Sequence, residues 1–192
     1  MTVTRELAPR SRIRAFRARQ YVLLIAEGEL PTPGFEVDII QSQVTISPPQ
    51  FAVLRRTRGG VFPQHVTSYR EAATVRFPED HPTVTVHHAE GTDQVAIETC
   101  GEELSFYRRA VGENAIRPCP PGADEATGFS KKLSFDEAFA NARANLPPAQ
   151  SPAADSVERI QVVEIGALFG GIGGFHDMFV RICRIPSAVT HD

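Results

Sequence analysis

The residues of this sequence best suited to chemistry are its histidines. His65, His87 and His88 lie in a region that is predicted to form β-strands, and imidazole nitrogens are common metal ligands. Adjacent residues of a strand point to opposite faces, so His87 and His88 cannot easily bind one metal ion. We therefore take His65 and His88 as candidate metal ligands, with Glu90 or Asp93 from a neighbouring turn. The spacing does not require such a site, and hydrogen-bonded structural histidines are the interpretation we favour.

A second candidate site is a glycine-rich turn near the C-terminus. It lacks the GxxxxGK[ST] pattern of a phosphate loop, and a predicted strand rather than a helix follows it. A hairpin turn is therefore favoured, and a loop that contacts a ligand or partner is the alternative. The His-Asp pair after the glycines is either an acid–base pair or a turn with a hydrogen-bonded imidazole, and we favour the turn. The candidate contact residues are Gly170, Gly171, Gly173, Gly174, His176 and Asp177.

The three cysteines, Cys100, Cys119 and Cys183, do not form a recognisable motif. Their odd number and wide spacing argue against a disulfide framework and against a CxxC zinc site. Cys183 falls in a predicted strand and is interpreted as a small buried hydrophobic residue. Cys100 and Cys119 could pair in an exported protein. No GxSxG nucleophile motif is present, so the sequence gives no indication of an enzyme and assigns no catalytic residue.

Charge is unevenly distributed along the 192 residues, whose net charge is −3. We interpret residues 1–11 as a disordered basic arm. Nucleic-acid contact through the arginine-rich N-terminus is the less favoured alternative. No apolar run reaches the roughly 18 residues of a membrane helix, and Tyr21–Ala26 is too short for a signal peptide, so we predict a cytoplasmic protein without membrane contact. The N-terminal arginines are Arg5, Arg10, Arg12, Arg14, Arg17 and Arg19.

Residues 12–117 have the pattern of an antiparallel β domain. About seven short strands alternate with turns, without helical crossovers, which favours a sandwich or a barrel. Thr83–His88 and Gln94–Thr99 form the clearest hairpin, and Glu102–Val111 is compatible with a short helix. The proline-rich run at 117–122 is the predicted boundary to a second part, residues 123–186. The predicted fold class is α+β, mostly β, with one helix packed on a C-terminal hairpin.

The helix of this second part has a clear start. Ser134 is a suitable N-cap, and Glu137, three residues later, completes a capping box. Proline at 147 and 148 ends the helix. Two predicted strands follow, Arg159–Phe169 and Phe175–Ile185, and the apolar stripe of the helix should cover them. The stripe consists of Phe135, Ala138, Phe139, Ala142 and Leu146.

Thr127–Ala142, Val162–Ile165 and Met178–Ile185 together resemble the helix and the second and third strands of the dodecin family. Dodecins are small β-α-β-β proteins that assemble into hollow dodecamers and bind flavins, so the resemblance implies that topology and self-association. A family member has a strand directly before the helix, where this chain is rich in proline. The flavin-stacking tryptophan of the family would correspond to Phe135, and the chain contains no tryptophan. No cofactor is therefore predicted.

The first of the two strands suggests how the protein works. Ile160, Val162 and Leu168 lie on one face and Val163, Ile165 and Phe169 on the other, which is typical of a strand covered on both sides. We expect a non-enzymatic protein that forms a homo-oligomer or binds a protein partner through the C-terminal hairpin. The alternative is a small-ligand-binding protein or a metal-dependent enzyme that uses a histidine cluster.

Overall fold

The computed structural model has an α+β fold that is mostly β, as predicted. It describes residues 5–42, 48–99, 101, 104–149, 158–171 and 173–185, so Cys100 lies outside the described residues. The chain divides into two compact units, which we call unit 1 (Met1–Gly101 with Ile172–Gly174) and unit 2 (Glu102–Gly171 with Phe175–Asp192). None of the described helices is long and apolar enough to cross a membrane.

Unit 1 is built on one sheet that curls into half a barrel. Seven strands follow the order β1-β5-β7-β8-β2-β3-β6, and β4 pairs with β5. Most neighbours are antiparallel, but β2 pairs with β8 and β5 pairs with β7 in parallel. The strands are β1 (Arg5–Leu7), β2 (Arg12–Ala18), β3 (Tyr21–Leu30), β4 (Phe35–Gln41), β5 (Gln50–Thr57), β6 (Thr67–Arg76), β7 (Thr83–His88) and β8 (Gly91–Glu98).

The core of unit 1 lies against β3. Every residue of Tyr21–Ala26 is buried, which explains the continuous apolar run in the sequence. Alternate residues of β3, β5 and β7 meet in one cluster, because side chains two residues apart in a strand share a face. Its members from these three strands are Val22, Leu24, Ala26, Phe51, Val53, Val84 and Val86.

Three features of unit 1 differ from the predictions. Arg5–Leu7, expected in a disordered arm, forms β1 against β5, and Ala8 is fully buried. Two strand pairings are parallel, whereas an entirely antiparallel sheet was expected. The β7–β8 turn is shorter than predicted, since β8 already begins at Gly91, whose φ of +137° is accessible mainly to glycine.

Unit 2 contains both helices and a three-stranded antiparallel sheet of order β10-β11-β9. Its elements are α1 (Ser105–Ala110), β9 (Asp124–Ser130), α2 (Phe135–Ala144), β10 (Arg159–Gly170) and β11 (Phe175–Ile185). Strand β9 was not predicted, because the prolines before it argued against a strand. The order β9-α2-β10-β11 is thus strand, helix, strand, strand.

Helix α2 begins at the predicted cap, but the capping box is only half formed. The Ser134 hydroxyl accepts a hydrogen bond from the Glu137 amide at 3.3 Å. The Glu137 carboxylate does not return to the Ser134 amide, because it accepts a 2.6 Å bond from the Ser130 hydroxyl instead. Ser130 Oγ in turn accepts from the Ser134 amide at 3.1 Å. Ser130, the last residue of β9, therefore accepts the hydrogen bond from the Ser134 amide that Glu137 would accept in a complete capping box.

A glycine sets the distance between α2 and the sheet. A Cβ atom at Gly128 of β9 would overlap the Ala142 nitrogen and the Ala138 oxygen, so the helix backbone lies directly on the strand. Ala138 and Ala142 are buried there, with small side chains that permit the approach. Helix α2 consequently lies on β9 as well as on the predicted hairpin, where it packs on β11 and against Ile160 of β10.

A disulfide joins Cys119 to Cys183, although the sequence argued against a disulfide framework and allowed only a pair of Cys100 with Cys119 in an exported protein. The Cα atoms are 5.8 Å apart, within the usual range for a disulfide. The bond ties the proline-rich segment after α1 to the middle of unit 2, since Cys183 belongs to β11. Cys183 is indeed buried, but as half of a cross-link rather than as a free thiol.

Candidate functional site

Among the residues that the structure describes, the exposed large apolar side chains concentrate on unit 2, and three of them lie on strand β10. Val162, Ile165 and Phe169 are 36%, 55% and 64% exposed. They pair with Ile182, Val180 and His176 of β11. Residues directly opposite in an antiparallel pair share a face, and Val180 and Ile182 face α2. The three side chains therefore form a stripe on the α2 side of the sheet, which we call the β10 stripe.

The stripe is exposed because β10 is an edge strand and α2 does not reach it. In the described part of the chain β10 pairs with β11 alone. Among the β10 residues, Ile160 joins the cluster under α2, whereas Val162, Ile165 and Phe169 do not. A β-bulge between Val162 and Glu164 turns Ile165, rather than Glu164, toward the α2 side. The predicted alternation of apolar residues thus misplaced Val162, which shares a face with Ile165.

The opposite face of the sheet holds a buried ion cluster. Arg181 is fully buried, and its guanidinium nitrogens lie 3.2 Å from the Glu125 carboxylate and 2.8 Å from that of Glu164. It also donates a 2.8 Å hydrogen bond to the Arg117 carbonyl. A buried charge needs such partners to offset its lost hydration. Glu164, the one acidic residue of β10, is therefore engaged on the face away from the stripe.

The glycine turn is a hairpin turn, the interpretation favoured from the sequence. Gly170 and Gly171 have φ values of +75° and +72°, which residues with a side chain rarely adopt. Both are exposed, and both border a cavity together with α1. Gly173 is buried, and Gly174 is exposed with a φ of +57°.

His176 and Asp177 do not form an acid–base pair. The His176 ring is exposed and packs edge-on against Phe169, with ring centroids 5.2 Å apart. The contact between the two residues is a 3.3 Å hydrogen bond from the His176 amide to the Asp177 carboxylate. Burial raises the pKa of the Asp177 carboxyl, and the charges of Lys131 and His176 oppose this rise only in part.

In unit 1, His88 lies in a cluster of charged side chains at the β7–β8 turn. It is 2% exposed, and its Nδ1 lies 3.0 Å from a Glu90 carboxylate oxygen. Its Nε2 lies 3.3 Å from Asp93, an ion-pair distance without good hydrogen-bond alignment. Arg10 donates to Asp93 at 3.0 Å and, through its amide, to Glu90 at 3.2 Å. The cluster thus fastens the segment between β1 and β2 to the turn.

This cluster changes the ionisation of its members. Hydrogen bonding to Arg10 is the main cause that lowers the pKa of Asp93, and His88 adds to it. Burial alone would raise the pKa of Glu90, but hydrogen bonds from backbone amides and from His88 outweigh it and lower the pKa. Burial, with the nearby Glu90 charge, raises the pKa of Tyr69 to about 12. The neutral Tyr69 hydroxyl donates a 2.6 Å bond to the Pro9 carbonyl.

Unit 1 should lose stability in acid through these carboxylates. The folded pKa values of Asp93 and Glu90 are below their unfolded values, so the stabilisation is complete above about pH 5 and declines as the pH falls through the folded values. Asp93→Asn should reduce this loss of unfolding free energy in acid by less than about 1 kcal/mol, because the Arg10–Asp93 ion pair is partly exposed. The midpoint of urea unfolding, measured at a series of pH values from neutral to acid, tests this prediction. Asp80→Asn, at a 98% exposed aspartate, is the control, and an equal effect there would contradict the prediction.

The predicted metal ligands, His65 and His88, do not come together in one site. His88 lies against the Glu90 and Asp93 carboxylates, of which Asp93 is also paired with Arg10, and His65 is exposed in the loop before β6. His87 bonds Thr92 at 2.8 Å instead. Across the described ranges, no group of three or more His, Cys, Asp or Glu side chains is placed to hold a metal ion. The structural interpretation of the histidines is the one that the geometry favours.

Two of the N-terminal arginines serve the fold of unit 1. Arg10 bridges to Asp93, and Arg17 donates to the Phe77 and Glu79 carbonyls at 3.0 and 2.9 Å. Strand β2, which contains Arg17, lies inside the sheet, where it pairs with β3 and β8. Contact between the segment and nucleic acid stays a prediction.

Comparisons with protein-family models, with curated proteins and with solved structures find no match to this chain. The function is therefore argued from the geometry of the two units alone.

Proposed function

We propose that the protein acts by self-association, with the β10 stripe and the open edge of β10 as the contact surface. The observation that carries the proposal is the exposure of Val162, Ile165 and Phe169 on a 12-residue edge strand. Contiguous exposed apolar surface on a protein marks an interaction site. An edge strand also presents unpaired backbone N–H and C=O groups that a further strand can pair with.

The edge of β10 carries few of the features that protect an edge strand in a monomer. Ile160–Gly170 contains no proline and no lysine. Its single acidic residue, Glu164, is bound to Arg181 on the opposite face. The bulge near Val163 is one protective feature, but the register from Glu164 to Gly170 is regular. A strand of this kind is expected to be covered in the working protein.

A second copy of the chain suits this surface better than an unrelated partner. A twofold axis would set two β10 strands antiparallel, with both stripes on the same side of a continuous sheet. The stripe carries no charge, so the pairing of identical surfaces brings no like charges together. The surface is thus complementary to itself in its backbone and in its side chains.

We also propose a relation between unit 2 and the dodecin family. The strand-helix-strand-strand order of β9, α2, β10 and β11 supports it. Members of that family assemble, which agrees with self-association of this chain. Phe135, at the position implied for the flavin-stacking residue, is 41% exposed and stacks on Phe139 with ring centroids 5.8 Å apart.

The disulfide supports a location in an oxidising compartment rather than the cytoplasm that the sequence predicts. Disulfides persist in secreted and periplasmic proteins and are rare in the cytosol. Alkylation of free thiols at the moment of lysis tests this inference. Labelling of Cys119 and Cys183 when the lysate is denatured in the alkylating reagent without a reductant would favour the cytoplasm.

Ile165→Lys should weaken self-association at least about 30-fold, the effect of removing a hot spot worth about 2 kcal/mol. The substitution replaces an exposed apolar side chain by a charge that repels its symmetry mate. Analytical ultracentrifugation over a micromolar concentration series measures the effect. Ile116→Lys is the matched control, since Ile116 is also an exposed isoleucine of unit 2, at 70%, but lies outside β10.

Two outcomes would contradict the proposal. A wild-type protein that sediments as a monomer throughout the series would exclude self-association. Equal weakening by Ile165→Lys and Ile116→Lys would show that added charge, rather than the stripe, controls assembly.

A further inference from the structure

Unit 2 contains an apolar cavity of about 310 Å³ where α1 meets the tip of the β10–β11 hairpin. Phe106 and Phe169 lie at its rim and are 72% and 64% exposed, so the cavity is open to solvent. Leu168 and Phe175 lie deeper and are buried. The complete lining is Phe106, Tyr107, Ala167, Leu168, Phe169, Gly170, Gly171 and Phe175.

The lining is mainly aromatic. Tyr107 and Phe175 stack nearly parallel, with ring centroids 5.9 Å apart and an interplanar angle of 15°. Aromatic faces of this kind favour stacked or edge-on contacts with further rings. The glycine turn contributes no side chains, and a Cβ atom at Gly170 or Gly171 would meet no other atom within 4 Å. The turn therefore adds no side chain to the lining.

The size and polarity of the cavity limit its ligand. An apolar cavity of roughly 150 Å³ holds a single benzene ring, so a volume about twice as large has room for two rings. None of the eight lining residues is charged, and a buried ligand charge would lose its hydration without a partner. The volume also falls at the lower end of known small-molecule sites, roughly 300–1,000 Å³.

We propose that this cavity is a binding site for a small uncharged molecule with two fused or linked aromatic rings. The lining residues belong to a single chain, and one of them, Phe169, also belongs to the β10 stripe of the proposed self-association. Two of its residues, Phe106 and Tyr107, come from α1, outside the part of the chain that resembles dodecins.

The test uses the neutral fluorescent probe N-phenyl-1-naphthylamine with the full-length protein. We expect saturable binding of one probe per chain. Phe106→Ala should weaken binding roughly five- to tenfold, the worth of one aromatic contact. Ile116→Ala, at a similarly exposed apolar residue outside the lining, should bind like wild type. The anionic analogue 8-anilinonaphthalene-1-sulfonate should bind at least about tenfold more weakly than the neutral probe, because the cavity offers its charge no partner.

Three outcomes would overturn the proposal. The first is binding that does not saturate at one probe per chain. The second is an equal loss in Phe106→Ala and Ile116→Ala, or equal affinity for the neutral and anionic probes. The third is binding that appears only in Ile165→Lys, which would show that a second copy fills the cavity. Amide shifts of Gly170 and Gly171 on addition of naphthalene give an independent measurement, and unchanged shifts would contradict the assigned position.

Discussion

The double variant Cys119→Ala/Cys183→Ala should lose about 4 kcal/mol of unfolding free energy in unit 2. The disulfide closes a loop with a sequence separation of 64 residues. In the chain-entropy description, a cross-link over a loop of this length restricts the unfolded chain by about that amount. The loss is a large part of the roughly 5–15 kcal/mol that stabilises a typical domain.

Urea unfolding followed at 222 nm measures this loss. Both helices of the described residues belong to unit 2, so their ellipticity reports the unit that contains the disulfide. Reduction of the wild-type protein should shift the midpoint as the double variant does. Cys100→Ala keeps the bonded pair and serves as the control. A midpoint of the wild type that does not respond to a strong reductant would contradict the prediction.

Gly128→Ala should destabilise unit 2 by about 3 kcal/mol or more, at the upper end of overpacking effects. The new Cβ would overlap the α2 backbone at Ala138 and Ala142 and would lie 2.7 Å from the Asn141 carbonyl carbon. Backbone atoms cannot move aside by rotation, so the helix would have to lift from β9. That movement would also open the contacts of Ala138 and Ala142 with the sheet.

Two other glycines calibrate this prediction. Gly59→Ala lies in unit 1, where a Cβ would meet nothing within 4 Å, so it should leave the unfolding of unit 2 unchanged. At Gly166 a Cβ would overlap the Phe179 ring, a side chain that can shift, so Gly166→Ala should cost less than Gly128→Ala. Thermal unfolding at 222 nm ranks the three variants. A Gly128→Ala protein as stable as wild type would show that α2 does not lie as close to β9 as described.

Local signals in the sequence predicted the elements that depend on neighbouring residues. The Ser134 cap, the buried run at Tyr21–Ala26 and the β7–β8 hairpin are confirmed, because capping, burial and turn chemistry act over a few residues. Strand β9 was not predicted, because the prolines before it argued against a strand. It is a short strand that pairs with β11.

Features that join distant residues could not be predicted in this way. The Cys119–Cys183 bond and the parallel pairings of β2 with β8 and of β5 with β7 depend on the tertiary fold. Their partners leave no periodic signal in the chain. The same holds for the fully buried charge of Arg181, whose partners Glu125 and Glu164 lie on two other strands.

The candidate surface was predicted in part. The sequence indicated the hairpin and its glycine turn as the contact region, and the exposed residues of β10 lie there. The bulge near Val163 could not be read from the pattern, so the prediction assigned Val162 to the wrong face. The aromatic residues of α1 were missed as site residues. Their one signal was Phe106-Tyr107 within a segment that was compatible with a short helix.

The parallel pairing of β2 with β8 also has a consequence for biosynthesis. Ala15 and Phe16 pair with Ile97 and Glu98, about eighty positions later in the chain. The β2–β3 hairpin can form soon after it leaves the ribosome, but its outer edge has no neighbour until β8 has been made. Pairing between such distant segments slows folding, because the loop must close before the contacts form. During that interval the apolar residues of β3 are exposed, and newly made chains should be most prone to aggregation then.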